Sequence, residues 1–345
     1  MRMTRRAVLG GLAALPAATA AAQSGLGWRA AADLPHPAQE IYAAVDDRAI
    51  YTAGGLQGRG RGPVGVLDAF SRFDLATGAW TQPAALRLPY ARHHPQLAVA
   101  HGRVWVIGGF RETAAGQWTS VTDVLSMSPH APEGGWTAGP PLPGPQSEAV
   151  TLVHAGKVHV IGGRSPSGQA NGRWGDQADV AAHRVLTHAR GGPAWSDARP
   201  APTARNSAAG AVIDGALYVV GGRTVDGGNL AVLERYDPQA DRWDALRPMP
   251  QAAGGLAAAA WRGRLYAFGG EWFDSSGGGV YREAWTYDPR TDAWTAAPVM
   301  RTPRHGLAAV AVERGPAAGV YAIGGAVTAS AAGTSAVVER LTATA

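Results

Sequence analysis

Short apolar segments that end in a pair of glycines recur along the whole chain. One copy is Arg103–Gly109, and the others are Ala49–Gly55, Lys157–Gly163, Ala216–Gly222, Arg264–Gly270 and Gly319–Gly325. The glycine pairs start at positions 54, 108, 162, 221, 269 and 324, so the unit recurs after 54, 54, 59, 48 and 55 residues. A period of this length indicates a repeat architecture, in which each unit forms one supersecondary motif.

The residues around each glycine pair predict three further strands. An apolar run precedes the pair and joins it through a tight turn such as Asp214-Gly215, which is a strong hairpin signal. Two more strands follow a polar loop, and the last carries a Trp seven residues after an aromatic residue, as in Tyr236–Trp243 and Tyr287–Trp294. Each unit is therefore predicted to be a four-stranded antiparallel meander.

These features together resemble the kelch repeat. A strand that ends in Gly-Gly, a following Tyr and a Trp seven residues later form the pattern, and six glycine pairs and six Trp residues occur in order, although the hairpins that carry Trp136 and Trp195 are longer. The resemblance implies an all-β fold, a six-bladed β-propeller in which each blade is a four-stranded antiparallel sheet. It also implies that the Tyr and Trp side chains pack between neighbouring blades.

The two ends of the chain predict how the ring closes. Residues Ser335–Leu341 match the third strand at Leu230–Tyr236, but no Trp strand follows them. Gly27–Ala30 matches the Trp strand at Ala79–Gln82. We therefore expect the N-terminal strand to complete the last blade and so to remove an open sheet edge.

The first 22 residues are typical of an export signal. Thr4-Arg5-Arg6 precedes an apolar run and a small-residue stretch, which resembles a twin-arginine signal, although a chance Arg-Arg pair would look the same. We expect residues 23–345 to form the propeller, in the periplasm or secreted, as a monomer without a membrane span. Removing Arg2, Arg5 and Arg6 lowers the formal charge of +5 to +2, which gives no support to nucleic-acid binding.

In a meander blade, the inner strand starts at the same face of the ring at which the loop after Gly-Gly lies. The starts of the inner strands and these loops should therefore meet at one mouth of the ring and form a ring of polar residues there. Counting back from the pairs, and allowing for a four-residue insertion in the last unit, aligns three rows of residues. The first row holds Arg92, Arg205 and Arg304, the second His93, Asn206 and His305, and the third Glu40, His94 and Glu148. Strand alternation allows only one of two neighbouring rows to line the channel, and the pattern leaves open which one.

The residue types at this mouth favour a small anionic or carbohydrate ligand. Three arginines suit a carboxylate or phosphate, and Glu40 and Glu148 are candidates for an acid–base pair. The loops add further candidate ligand contacts, which are Arg164, Arg173, Trp174, Arg223, Glu271 and Trp272. The alternative is that these charges only satisfy one another around a water-filled channel.

The resemblance to kelch propellers implies three classes of function. Exported kelch propellers include N-acetylneuraminate epimerases, to which the chain is similar in architecture, so a sugar-acid mutarotase is one alternative to simple ligand binding. A non-catalytic module that binds a protein or glycan is the other. A copper oxidase is excluded because its cofactor needs a cysteine and the chain has none. We expect no cofactor and no metal. Adjacent strand residues such as His93 and His94 should point to opposite sides and so should not share an ion, and the alternative is a metal site built from His94 or His305 with Glu40 or Glu148.

Overall fold

The structure is a computed structural model that describes residues 25–58, 64–275 and 277–344. The proposed export signal at residues 1–22 lies outside this range. The described residues form six antiparallel sheets, the blades, which surround a central axis. Among these residues, no helix is long and apolar enough to cross a bilayer.

Each blade contains an inner, a second, a third and an outer strand, which follow one another along the chain in the first five blades, as the repeat predicts. The inner strands are Tyr42–Val45, Gln96–Ala100, Val150–His154, Ala209–Ile213, Gly254–Trp261 and Ala308–Val312. The second strands are Ala49–Ala53, Arg103–Ile107, Lys157–Ile161, Ala216–Val220, Arg264–Asp274 and Gly319–Ile323. The third strands are Phe70–Asp74, Val124–Met127, His183–Ala189, Leu233–Asp237, Ala284–Asp288 and Val338–Ala343. The outer strands are Ala79–Thr81, Thr137–Ala138, Gly192–Asp197, Arg242–Leu246, Ala293–Ala297 and Leu26–Ala30.

Short hairpins extend the loops that follow the glycine pairs. Their strands are Leu56–Gln57 with Gly65–Val66, Phe110–Glu112 with Trp118–Ser120, Arg164–Pro166 with Gln177–Asp179, and Arg223–Thr224 with Gly228–Asn229. In the fifth blade, Gly277–Val280 pairs with the end of the long second strand. Within the part of the chain that the structure describes, single-turn 3-10 helices occupy Ala84–Leu86, Pro132–Gly134 and Trp174–Asp176.

The N-terminal strand closes the ring, which confirms the prediction from the chain ends. Leu26–Ala30 pairs antiparallel with Val338–Ala343, and Trp28 lies opposite Leu341. The sixth blade therefore combines both ends of the chain.

The core lies between the blades. The described residues form six buried apolar clusters, one at each blade interface. The repeated Trp, which lies in the outer strand or, at Trp136, directly before it, also donates a hydrogen bond from Nε1 to a backbone carbonyl that follows the outer strand of the preceding blade, at 2.8–2.9 Å. The repeated Trp thus combines apolar packing with a fixed polar contact between blades.

The glycine pairs bring neighbouring blades into backbone contact. The first glycine has positive φ at each repeat, and a Cβ at Gly54 would lie 2.2 Å from the carbonyl oxygen of Arg92 in the next blade. The amide of Gly55 donates a hydrogen bond to that same oxygen at 2.8 Å. A residue with a side chain at the first position would therefore separate the blades.

Candidate functional site

The inner strands begin at one end of the ring, here called the mouth, where each one pairs with the loop after its glycine pair. Single antiparallel bridges join the second aligned row to the first loop residue, as in His93 with Phe110, Ser147 with Arg164 and Asn206 with Arg223. The equivalent pair in the fifth blade is Gly254 with Glu271. The third row directly follows the second row in the chain, so these bridges place the first side chain of each loop beside a third-row residue.

The third row surrounds the axis and forms a ring that we call the axial ring, consisting of Glu40, His94, Glu148, Ser207, Gly255 and Gly306. All six residues have φ between 49° and 65°. Five amides in the axial ring donate to the carbonyl of the preceding blade, at 2.7–3.1 Å, starting with Glu40 to Gly306. The left-handed backbone turns the side chains of the third row into the mouth, so the third row is the one that faces it.

Every blade contributes a charged or polar side chain to one network in the mouth. Glu40 Oε2 lies 2.8 Å from His94 Nε2, and Glu40 Oε1 lies 3.8 Å from His305 Nδ1. His305 Nδ1 also lies 3.5 Å from Glu271 Oε2, and Glu271 Oε1 accepts a hydrogen bond from Arg223 at 2.5 Å. The network is therefore continuous from the second blade, through the first and sixth, to the fifth and fourth.

Glu148 connects this network to the third blade. Its Oε1 lies 3.3 Å from Arg164 Nε, and its Oε2 lies 4.0 Å from Arg223 Nη2 and accepts a hydrogen bond from Ser207 at 2.6 Å. The Glu148 side chain is fully buried, whereas 14% of the Glu40 side chain and 20% of the Arg223 side chain are exposed. Glu40 and Arg223 are thus the network members most accessible to a ligand.

Charge pairing in the network shifts the pKa values of its members. Burial would raise the pKa of Glu40, but attraction to His94 and the contact with its ring outweigh burial and hold that pKa well below its ordinary value. Burial would lower the pKa of His94, but attraction to Glu40 and Glu148 raises it above its ordinary value. These shifts favour a carboxylate at Glu40 and an imidazolium at His94.

His93 and His94 contact each other, contrary to the expectation that they point to opposite sides. Their Nδ1 atoms lie 2.7 Å apart, because the positive φ of His94 breaks the alternation of an extended strand. Burial, together with repulsion from His94, lowers the pKa of His93 well below its ordinary value. A neutral His93 can therefore accept the Nδ1 proton of His94, while Phe110 and Trp118 pack against its ring at 5.2 and 4.3 Å.

The expected position of Arg92, Arg205 and Arg304 in the mouth is wrong. Their side chains are at most 2% exposed and bind groups inside their own blades. Arg92 donates to the carbonyl of Gly108, and Arg205 pairs with Glu234 at 2.7 Å. Arg304 pairs in the same way with Glu339 at 3.3 Å. The first row precedes the left-handed residue by two positions and so projects into the blade rather than toward the axis.

The other expected site residues lie at the mouth or on its rim. Asn206 accepts a hydrogen bond from Arg223 at 3.3 Å and donates one to Asp179. Trp174 stacks under the guanidinium group of Arg164, which lies 4.1 Å from the ring centroid. Two further residues lie on the rim, where Arg173 is largely exposed and pairs with Asp176, and the ring of Trp272 packs against Gly279.

Two polar residues of the site are not among the predicted ligand contacts. Ser207 belongs to the axial ring, and its position in the third row was a usable signal. Asn171 links the third loop to the hairpin of the second blade, since its side chain bonds the amide and carbonyl of Ser120 at 3.0 and 2.8 Å. Nothing in the repeat pattern marks that contact, because it joins two loops of irregular length.

The described residues place their candidate metal ligands away from the mouth. Asp46, Asp47 and His130 have ligand atoms close enough to share an ion. However, Asp46 already accepts hydrogen bonds from two backbone amides and from Tyr51. Its carboxylate therefore has a structural role in the turn between the inner and second strands of the first blade.

Comparison with known proteins agrees with this architecture. The model of the Kelch motif family matches residues 204–250 and 252–301, which include most of the fourth and fifth blades. The chain is 26% identical over 190 residues to Kelch-like protein terF of Aspergillus terreus, covering 54% of this chain and 39% of that protein. It is 30% identical over 141 residues to Kelch repeat and BTB domain-containing protein 1 of Cowpox virus, covering 41% of this chain and 23% of the viral protein.

A solved structure extends the likeness to the whole ring. The structure of YjhT aligns with a TM-score of 0.70 and 17% identity, covering 91% of this chain and 99% of that one. The fold and the mouth define a six-bladed β-propeller built from four-stranded antiparallel blades. The repeated Gly-Gly and Trp contacts, together with the Kelch motif matches in the fourth and fifth blades and the Kelch-like relatives, support a kelch-repeat β-propeller. The chain spans about two fifths or less of the curated relatives' own length.

Proposed function

We propose that the mouth binds a small carbohydrate, either a neutral sugar or a sugar acid. The observation that carries this proposal is the buried network in which all six blades place charged or polar side chains around one axis. Carboxylates accept hydrogen bonds from sugar hydroxyls, and a guanidinium group donates them. Glu40 and Arg223, the accessible members, would make the first contacts with such a ligand.

The composition of the axial ring supports a role beyond packing. The ring requires a left-handed backbone, which glycine adopts at no steric cost, and two blades do use glycine at this position. The other blades place Glu40, His94, Glu148 and Ser207 there, although burying charged groups is costly unless they are well paired. Glu148 Oε1 and Arg164 Nε lie 3.3 Å apart and are buried without a well-directed hydrogen bond, so the pairing of these two charges in the mouth is incomplete.

The charge balance of the mouth favours a sugar over a simple anion as the ligand. Glu40, Glu148 and Glu271 face two arginines, Arg164 and Arg223, and the imidazolium form of His94 that its surroundings favour. Since the three buried arginines of the first row are not available, the mouth has no excess of positive charge. A ligand rich in hydroxyl groups suits this balance better than a phosphate or a dicarboxylate.

The Glu40–His94 pair favours mutarotation as a second function. Interconversion of sugar anomers needs a group that donates a proton to the ring oxygen and one that accepts the anomeric hydroxyl proton. His94 and Glu40, 2.8 Å apart, hold a proton donor and a proton acceptor side by side. His93 would hold the His94 ring in place through its Nδ1 atom.

Isothermal titration calorimetry with a panel of neutral sugars and sugar acids tests the binding proposal. Glu40→Gln should weaken binding of any sugar that the wild type binds, whereas Glu234→Gln should not. Glu234 is the matched control because it is buried and paired with an arginine outside the mouth. Equal loss of binding in both variants would mean that the site is not at the mouth.

Mutarotation has its own measurement. The rate at which a freshly dissolved anomer equilibrates can be followed by NMR with the same sugars. If the pair is catalytic, Glu40→Gln should lower the protein-dependent rate by roughly 10²–10⁴-fold, the usual contribution of general acid–base catalysis. A sugar that binds without any protein-dependent rate would leave ligand binding as the function and exclude mutarotation of that sugar.

Export through a twin-arginine route is proposed on the sequence alone. Replacing Arg5 and Arg6 by lysine should retain the protein in the cytoplasm if the pair is part of such a signal. Cell fractionation of the wild type and this variant, with an unrelated periplasmic protein as the marker, measures the effect. Equal periplasmic amounts of both forms would overturn the proposal.

A further inference from the structure

Tyr42 begins the inner strand of the first blade and lies two residues after Glu40 of the axial ring. The equivalent positions of the other inner strands carry Gln96, Val150, Ala209, Ala257 and Ala308. Most of these side chains are small, which leaves room at the axis for one aromatic ring. The hydroxyl group at this level, directly below the axial ring, therefore comes from the first blade.

The axial ring leaves an opening at its centre. Its backbone hydrogen bonds run from blade to blade around the axis, as in Glu40 to Gly306 and Gly255 to Ser207. A space of about 20 Å³ lies inside the ring, and these four residues and Tyr42 are among those that line it. Such a volume accommodates one group of the size of a water molecule. The opening therefore admits a hydroxyl group on a narrow arm, but not a sugar ring.

The two glycines of the axial ring place this opening beside the Glu40 carboxylate. A Cβ at Gly306 would lie 2.8 Å from Glu40 Oε1, so the carboxylate occupies the space that a side chain would fill. The nearest atom to a Cβ at Gly255 would be the amide nitrogen of Gly306, at 3.5 Å. Gly255 therefore leaves the space of a side chain free next to an accessible carboxylate of the mouth.

The phenol of Tyr42 is a hydrogen-bond donor without a partner in the protein. The side chain is partly exposed, and no group of the described residues hydrogen-bonds to its hydroxyl. Burial, followed by the negative charges of Glu148 and Glu40, raises the pKa of Tyr42 well above its ordinary value, so the phenol keeps its proton. A polar group withdrawn from bulk water is costly unless it is hydrogen-bonded. A ligand oxygen that accepts the phenol proton would remove that cost.

We propose that Tyr42 determines specificity in the mouth by binding the hydroxymethyl group of a sugar, an assignment that rests on the carbohydrate site proposed above. A hydroxymethyl group extends from the sugar ring on a single narrow arm, which suits the opening of the axial ring. Its oxygen accepts the proton of Tyr42 and its own hydroxyl proton is donated to Glu40. The sugar ring remains in the mouth, beside Arg223.

Isothermal titration calorimetry with pairs of sugars that differ only in this hydroxyl group tests the assignment, for example D-galactose with D-fucose and D-glucose with 6-deoxy-D-glucose. Tyr42→Phe should weaken the binding of a sugar with a hydroxymethyl group by about three- to tenfold, the loss expected for one hydrogen bond. The 6-deoxy sugar should bind the wild type more weakly than its partner does, and should bind Tyr42→Phe and the wild type equally.

Tyr236→Phe is the matched control, because it removes the same oxygen at a distance from the mouth. The Tyr236 hydroxyl donates to Asp241 at 2.8 Å, in the turn between the third and outer strands at the opposite face. This variant should bind sugars as the wild type does. An equal loss of affinity in Tyr236→Phe and Tyr42→Phe would show that the effect does not come from a contact in the axial ring, and would overturn the assignment.

The remaining outcomes separate the two proposals. If the wild type binds no sugar, the carbohydrate site is overturned and the role of Tyr42 with it. If a sugar binds the wild type and Tyr42→Phe with equal affinity, the carbohydrate site stands and the role of Tyr42 is overturned. Equal affinity of the wild type for both members of a sugar pair would have the same meaning, and this comparison needs no variant.

Discussion

Glu40 and His94 form a buried pair whose contribution to stability depends on pH. The pKa of Glu40 is lowered on folding and that of His94 is raised. The Glu40 contribution is therefore complete above pH 4.5 and lost as the pH falls, and the His94 contribution is complete below pH 6.5 and lost as the pH rises. The pair stabilises the fold most between these two values.

We therefore predict a pH-dependent effect of His94→Gln on the free energy of unfolding. The wild type should exceed the variant by the largest margin between about pH 4.5 and 6.5, and by less on either side. Urea denaturation of both proteins from pH 4 to 9 measures the margin. A margin that grows steadily up to pH 9 would show that the imidazolium form of His94 is not what the fold stabilises.

Arg205 has a structural role that is separate from the mouth. Its guanidinium group pairs with Glu234 where both side chains are 2% exposed. Arg205→Met should lower the free energy of unfolding by about 3–5 kcal/mol, because Glu234 is left buried without its partner. Arg205→Met/Glu234→Leu should recover much of that loss in urea denaturation, and a double variant as unstable as the single one would contradict this account.

The first glycine of each pair is required by the contact between blades, and not only by its backbone conformation. A Cβ at Gly108 would lie 2.3 Å from the carbonyl oxygen of Gln146, whereas a Cβ at Gly102 would meet no atom within 4 Å. Both glycines have positive φ, at 57° and 69°. The two positions therefore form a matched comparison.

Gly102→Ala should cost about 1–2 kcal/mol, the usual penalty for a left-handed residue with a side chain. Gly108→Ala should cost clearly more, because the backbone of the next blade must also move. Urea denaturation of the two variants measures the difference. Equal losses would mean that the glycine pairs serve only the turn conformation and do not set the distance between blades.

The strands could be predicted from the sequence because their signals are local and repeated six times. The row that faces the mouth could not be predicted from the sequence. Alternation of side chains along a strand assumes an extended backbone, whereas the residues of the axial ring have a left-handed backbone. This single difference explains why His93 and His94 touch and why Arg92, Arg205 and Arg304 bind within their blades. Contacts between loops, such as Asn171 with Ser120, follow no period and left no signal.

The ring is closed by its first strand, so its stability depends on both ends of the chain. Trp28 donates to the carbonyl of Pro298 at 2.8 Å and packs edge-on against Phe268 at 5.0 Å. Deleting residues 23–33 should destabilise all six blades, because the third strand of the last blade becomes an open edge. Size-exclusion chromatography should then show aggregates where the wild type elutes as one species. A deletion variant that stays folded would contradict this closure.

A milder change tests the same closure within a folded protein. Trp28→Ala should lower the free energy of unfolding by about 3–5 kcal/mol, the usual cost of removing a buried Trp side chain. Urea denaturation should still show one cooperative transition, because the strand itself remains. A loss below about 1 kcal/mol would show that the strand contributes little to the ring.

The most direct test of the proposed mouth compares two arginines by thermal unfolding. Wild type, Arg223→Gln and Arg205→Gln are each heated with and without a panel of neutral sugars and sugar acids. A sugar that stabilises the wild type should also stabilise Arg205→Gln by a similar amount, and should lose its effect on Arg223→Gln. The opposite result, with the effect lost only in Arg205→Gln, would contradict a ligand site formed by the axial ring and its neighbouring loops.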